Sequence, residues 1–449
     1  MTVAATRSAL ADLAEAVVRI DYATLPADVR AEARRRVYDS LGSLRAGQAT
    51  EDTAAIRRLN ARLGPSPSIE DRLRLAVCAA RMTECDDINV IGNVTAGSVV
   101  VPVAAVLADA WRDRVDDGAF LAAVVAGYEV MVRLAIATDG AHELYKGLWP
   151  TVSTGTVASA AITAKLLGLD ADRTINALSI ALLRETRPGG MSNRGVTPRW
   201  LLLGQAVADG YVCAQAAAAG FGGDLGTFAE YAKNLGVPFD ESAVTGDLGT
   251  GWRTLDMDTK PFVAGRQGLA ALDAFMQTPS RGPLEEIETI EIWIAEQLRS
   301  WVEGRTSPGA PPAGVRAQLA IAKCRPDRLY DVRRPGPLTE AEVALARKVA
   351  PVMSDPELTA AFPAHWCARV RTTWKGGASE IVEIRDAVGS SYRRFDWPEL
   401  RAKQGRIFAE SGIVHAAALA DRLRDACATL GEATEARVAA GFLGMTTSA

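Results

Sequence analysis

From Leu10 to about Ala270, apolar residues recur at the three-to-four spacing of helices, and this pattern does most to restrict what the chain can fold into. The clearest runs are Val101 to Trp111, Phe120 to Ala137, Val157 to Leu167 and Ala206 to Ala219. Between them stand helix stops and starts such as Asp116-Asp117-Gly118 and Leu167-Gly168-Leu169-Asp170. No internal repeat emerges. The period changes after Gly282. Ile287 to Ile294, Ala368 to Trp374 and Glu380 to Ile384 alternate with the period of two of half-buried strands, and Lys375-Gly376-Gly377 predicts a hairpin turn. Helical stretches at Val315 to Lys323 and Glu340 to Val352 complete an α+β unit, and the tail from Trp397 to Leu443 reads as helix again. The expected fold is mostly α: a large helical domain from 1–274 and 396–449, with a smaller α+β lid domain from 275–395. A length of 449 residues fits this division, because it exceeds what one core normally organises. A cleft between two such units is a common ligand position.

Charge narrows the partner. Lysine and arginine number 50 against 54 aspartates and glutamates, a net charge of −4 that argues against nucleic acid or a membrane surface and for a small molecule. The N-terminal segment lacks a signal-peptide core, and no stretch of about 20 uninterrupted apolar residues occurs. A cytoplasmic location is expected. The six cysteines form no CxxC pair or zinc-ligand cluster, so they read as reduced packing residues with no metal site.

Several segments, weak singly but specific in their order and spacing, carry a resemblance. They are Tyr38-Asp39-Ser40-Leu41-Gly42, Glu84-Cys85-Asp86-Asp87, Gly97-Ser98, Gly127-Tyr128-Glu129-Val130 with Arg133, Gly147-Leu148-Trp149-Pro150-Thr151, Lys165 to Asp170, Gly220-Phe221, and Lys260-Pro261-Phe262 with Arg266 and Asp273. Together they resemble the MmgE/PrpD family, which includes 2-methylcitrate dehydratase, cis-aconitate decarboxylase and iminodisuccinate epimerase. The resemblance implies the two-domain fold above, a homodimer with the site between domains, no metal or organic cofactor, and a small anionic metabolite as ligand. Family chemistry needs a base that removes a proton beside a carboxylate or carbonyl, an acid, and cations that hold carboxylates.

By that resemblance Glu84 stands where the family has Asp, with Asp86 beside it. Either acid orients a base or binds a hydroxyl; a buried structural acid is about as good a reading for Asp86 and a better one for Asp87. The family's histidines correspond to Thr95, Trp149, Leu202 and Leu269, so the neutral-range imidazoles are lost together. Lys260 retains its family position as a carboxylate-binding cation or, if burial lowers its pKa, a base. Arg199 replaces the other lysine, keeping charge but not ready proton exchange. Arg266 keeps its place, while Arg187, Arg194 and Arg253 read mainly as solvated charges. His142, seven residues before Trp149, is a substitute acid-base group, although an exposed role is the commoner one; His365 and His415 read as core or surface residues. Tyr145 joins Glu84, His142 and Lys260 as proton-transfer candidates, and apolar groups at Trp149, Leu202 and Leu269 disfavour a tricarboxylate. Three functions follow. The first is a lyase eliminating a group beta to an acidic carbon of a small anionic, partly apolar metabolite in a specialised pathway, with an activated leaving group needing less acid assistance. The others are an isomerase or epimerase, and a non-catalytic binding protein.

Overall fold

The computed structural model describes residues 8–185, 198–303, 314–333 and 336–432. Helices dominate, and two hydrophobic cores organise them. The larger core is built on the most apolar helices of the sequence, Gly97–Ala110, Asp117–Ala137 and Pro150–Leu167, whose residues are buried almost all round. A helix apolar on every face must sit at the centre of a bundle. Asp117–Ala137 is, among the described residues, long and apolar enough to cross a membrane, yet 89% of its apolar window is buried inside the fold. It is the central core helix here.

The second core surrounds a four-stranded sheet in the order β4-β3-β5-β6: β3 is Ile287–Ile294, β4 Met353–Ser354, β5 Ala368–Trp374 and β6 Ser379–Ile384. The predicted hairpin is present, with Thr373 opposite Ser379 and Gly376 and Gly377 at φ 90° and 85°, a left-handed conformation that glycine adopts without strain. Two local expectations change. The helix from Glu340 ends at Ala346 rather than Val352, because Lys348 and Ala350 give their backbones to Ile290: Ile290 N donates to Lys348 O at 2.9 Å and Ala350 N to Ile290 O at 2.9 Å. The tail divides into Trp397–Glu410 and Ala416–Ala428, broken where Gly412 and His415 turn left-handed. The residues of the tail beyond 432 lie outside the described ones. The Arg266–Gln277 helix packs on β5 and β6 through Leu269, Leu272 and Phe275, so the second core takes in this helix from Arg266 onward.

A second, very small sheet matters most for the site. β1 (Asp87–Ile88) pairs antiparallel with β2 (Asp258–Thr259), Asp87 opposite Thr259 and Ile88 opposite Asp258. Two ladder pairs contribute little stability alone. Their effect is to lay the Glu84–Asp87 segment beside Lys260, a distant stretch of the same chain.

Several of the motif residues named above fasten the surrounding scaffold. Asp87 Oδ1 accepts from Gly97 N at 2.7 Å and Oδ2 from Tyr128 Oη at 2.6 Å, so a carboxylate caps the Gly97–Ala110 helix at its positive end. A Cβ on Gly97 would lie 2.7 Å from both Asp87 carboxylate oxygens and 2.5 Å from Ser40 Oγ, which is why this position carries glycine. Asp39 accepts from Lys403 Nζ at 2.5 Å and from Gln404 Nε2 at 3.0 Å, tying the returning Trp397–Glu410 helix to the Ala27–Gly47 helix. Glu129 and Arg133 do similar work: Arg133 bonds Glu129 Oε2 at 2.9 Å, Asp247 Oδ1 at 2.6 Å and Gly251 O at 2.8 Å, fastening the segment before β2 to the core helix.

Candidate functional site

The site begins where the Ile69–Arg81 helix ends. Its last residue, Arg81, is followed by a turn in which Glu84 has φ 56°, a left-handed conformation that is unusual for a glutamate. The turn is held from two sides. Ala264 N donates to Glu84 O at 3.2 Å, and Lys403 Nζ donates to Cys85 O at 2.8 Å. The strained residue thereby projects its carboxylate at a fixed place, and β1 carries the chain on to β2 and Lys260.

Four charged side chains meet there. Lys260 Nζ donates to Asp86 Oδ1 at 2.9 Å and to Glu84 Oε2 at 3.4 Å, while Arg81 Nη1 lies 3.0 Å from Glu84 Oε2 and its Nε 3.5 Å from Asp86 Oδ2. Lys260 and Asp86 are fully buried; the Glu84 side chain, 20% exposed, is the most accessible of the four. Buried charges persist only when paired, and this cluster pairs each cation with both carboxylates. Burial alone would lower the Arg81 pKa, but Asp86 and Glu84 outweigh it and hold the guanidinium charged.

Aromatic rings close one side. The Arg81 guanidinium carbon lies 5.8 Å from the Trp149 ring centre and 5.5 Å from that of Trp200, and the Arg199 carbon lies 4.8 and 5.0 Å from the same two rings. The indoles meet edge to face at 6.2 Å. Pro150 starts its helix at the position where a proline costs no hydrogen bond, which fixes Trp149 at the helix entrance. Thr95 is buried two residues before Gly97 and exchanges a hydroxyl contact of 3.1 Å with Thr151.

The remaining predicted residues lie in different surroundings. Arg266 donates to Asp258 Oδ2 at 2.7 Å beneath Trp366, one residue along β2 from Thr259. Tyr145 is half-buried between the two cores with its hydroxyl enclosed beside Gln267 and Asn93; among the described residues that hydroxyl has no aligned partner, and desolvation pushes its pKa well up, so it is a phenol able to donate. His142 turns to Asp139, Nδ1 to Oδ1 at 2.7 Å, with its ring edge against Phe362. Leu269 is in the second core, and Leu202 is exposed on the Pro198–Ala218 helix. Arg253 pairs with Asp247 and Asp256, whereas Arg187 and Arg194 lie outside the described residues. His365 pairs with Asp386 at 2.8 Å in the sheet-bearing unit, and His415 begins the last described helix.

Sequence reasoning missed Arg81 and Trp200. Arginine is abundant here, so no single arginine stood out; the available signal was its place three residues before Glu84 on a helix end.

Asp87 takes the structural role. Burial raises its pKa to about 6 despite the opposing pull of Arg36, and its hydrogen bonds all serve the scaffold. Two surface grooves of about 400 and 490 Å³ follow the Val18–Leu25 segment and share no residue with the Lys260 cluster. The first groove is lined in part by Arg19, Asp21 and Glu129 and the second by Asp21, Asp116 and Lys165. Among the described residues, no group of three or more histidine, cysteine or acidic side chains is placed to hold a metal ion.

Comparison with known proteins adds one finding. Residues 75–241 match the model of the MmgE/PrpD N-terminal domain, a span that includes Arg81, Glu84, Asp86, Trp149 and Arg199 and stops short of Lys260. No curated protein matches the chain.

Proposed function

We propose that the chain eliminates a group beta to an acidic carbon of a small anionic, partly apolar metabolite, on the premise that the match of residues 75–241 supports membership of the MmgE/PrpD family and with it an enzyme of dehydratase or lyase type. The observation that carries this reading is Lys260, buried between Asp86 and Glu84 at 2.9 and 3.4 Å. Glu84 is the base in this proposal: it is the most accessible carboxylate of the cluster, and its turn is pinned so that proton removal needs little reorganisation. Lys260 and Arg199 hold the substrate's negative charge and stabilise the carbanion-like electron density that develops next to the carboxylate. The half-buried Tyr145, its phenol held protonated by desolvation, supplies a proton donor, not a base, for the leaving group. Trp149, with Trp200 beside it, favours a ligand carrying an apolar portion over a tricarboxylate. With few acid catalysts, a substrate bearing an activated ester or phosphate as leaving group suits the site. We place the reaction in specialised metabolism and in the cytoplasm, and infer a homodimer, which light scattering after size exclusion checks directly.

A second reading, an isomerase or epimerase, is favoured by one feature: Glu84 and Lys260 lie 3.4 Å apart, so one can take a proton from carbon while the other returns one, at a neighbouring carbon for an isomerase or on the opposite face for an epimerase. The test is incubation with β-substituted small acids while following the ultraviolet absorbance of an α,β-unsaturated carboxylate. Its appearance, lost in Glu84→Gln and Lys260→Met, supports elimination. Solvent deuterium incorporated at carbon into an acid that loses no group supports the second reading. Neither change with any acid sinks both.

A further inference from the structure

We propose that Arg81 is an anion-binding residue that takes one carboxylate of a small acid, an inference that rests on the cluster above being the substrate site. The Arg81 side chain is 7% exposed, and among the described residues neither its Nε nor its Nη1 has an aligned hydrogen-bond acceptor. The 3.0 Å approach to Glu84 and the 3.5 Å approach to Asp86 neutralise charge without that alignment. A buried N–H left without an acceptor is costly, and a charge-assisted bond to an oxyanion is the strongest way to satisfy it.

The surroundings select for an anion. Trp149 and Trp200 hold the guanidinium on their rings, which strips water from it and fixes its direction. A second guanidinium, that of Arg199, shares the same two rings. A carboxylate is the better fit than a metal or an amine, because the unmet groups are donors. It also suits the aromatic wall, against which the carbon skeleton of a short diacid can lie.

The test is calorimetric titration of the full chain with succinate, maleate and inorganic phosphate at low ionic strength. Saturable binding of one diacid is expected, weakened about tenfold or more in Arg81→Gln and by less in Arg81→Lys, which keeps the charge but not the planar donors. Equal affinity in wild type and Arg81→Gln overturns the assignment, as does the absence of binding by either diacid up to about 50 mM. Tighter binding of phosphate than of both diacids overturns the carboxylate assignment. If circular dichroism shows that Arg81→Gln is unfolded, Arg81→Lys decides: reduced affinity supports the proposal and unchanged affinity overturns it. The outcome separates from that of the catalytic reading. Arg81-dependent binding without any turnover sinks the enzyme and keeps Arg81, whereas turnover with KM unchanged in both Arg81 variants sinks Arg81 alone.

Discussion

Replacing Lys403 with methionine removes an ion pair that joins the two ends of the helical unit. The Lys403 and Asp39 side chains are only 2% and 1% exposed, and Nζ sits 2.5 Å from Asp39 Oδ1 and 2.8 Å from Cys85 O. After the change Asp39 keeps Gln404 Nε2 at 3.0 Å, but its Oδ2 already lacks a partner among the described residues. Removing one member of a buried pair costs about 3–5 kcal/mol, mostly because the other charge stays buried. The orphaned Cys85 carbonyl accounts for about 1 kcal/mol or more within that figure. At roughly 2–4 °C per kcal/mol for a unit of this size, the melting temperature should fall by about 10 °C. Thermal unfolding followed by far-ultraviolet circular dichroism measures it. The double variant Asp39→Asn/Lys403→Met removes the stranded charge and should recover a large part of the loss. A single variant melting within about 2 °C of wild type, or a double variant no better than the single one, refutes the reasoning.

Other changes have equally definite outcomes. Burial pushes the Glu185 carboxyl up to about 8 from 4.5, so the fold prefers it protonated. Its stabilising contribution is complete below about pH 4.5 and is lost as pH rises toward 8, and Glu185→Gln should flatten that slope in denaturant midpoints measured between pH 5 and 8. Gly97→Ala should destabilise by about 1–3 kcal/mol, since its methyl would meet Asp87 at 2.7 Å, and chemical denaturation reads the loss. Glu84→Gln and Lys260→Met should each lower turnover by about 10²-fold or more while the melting temperature of Glu84→Gln stays close to wild type, as kinetics and melts on the same samples will show.

Periodicity made most of the fold legible, because it is a local property. Helices with an apolar stripe and the strands Ile287–Ile294 and Ala368–Trp374 announce themselves within their own residues. What failed depended on partners. The helix from Glu340 stops at Ala346, short of the Val352 that its periodicity predicts, because nothing in its own pattern says that Ile290 will take the backbone of Lys348 and Ala350. The pairing of Asp87 with Thr259 has no local signature at all: two ladder pairs are too short to impose a period, and their partners lie far apart in the chain.

The candidate site divides the same way. Lys260, Glu84 and Asp86 were legible through motif resemblance, and they converge. Leu269 and Leu202 correspond to family histidines by resemblance alone, and their side chains lie in the second core and on an exposed helix face, since position in a motif does not set which way a side chain packs. Arg81 was hidden by composition. Its importance comes from two tryptophans, two carboxylates and unmet donors, all of which are tertiary facts.

The most direct test of the central claim, that the Lys260–Glu84–Asp86 cluster removes a proton beside a carboxylate, is carbon-bound hydrogen exchange. A panel of small di- and monocarboxylic acids is incubated in D₂O with wild type, Glu84→Gln and Lys260→Met and followed by proton NMR. The account predicts that wild type washes out the signal next to the carboxylate, or converts the acid altogether, and that both variants are slowed by about 10²-fold or more. Exchange that proceeds equally well in Glu84→Gln and Lys260→Met, or acids that bind at the cluster yet keep every carbon-bound proton, would contradict it.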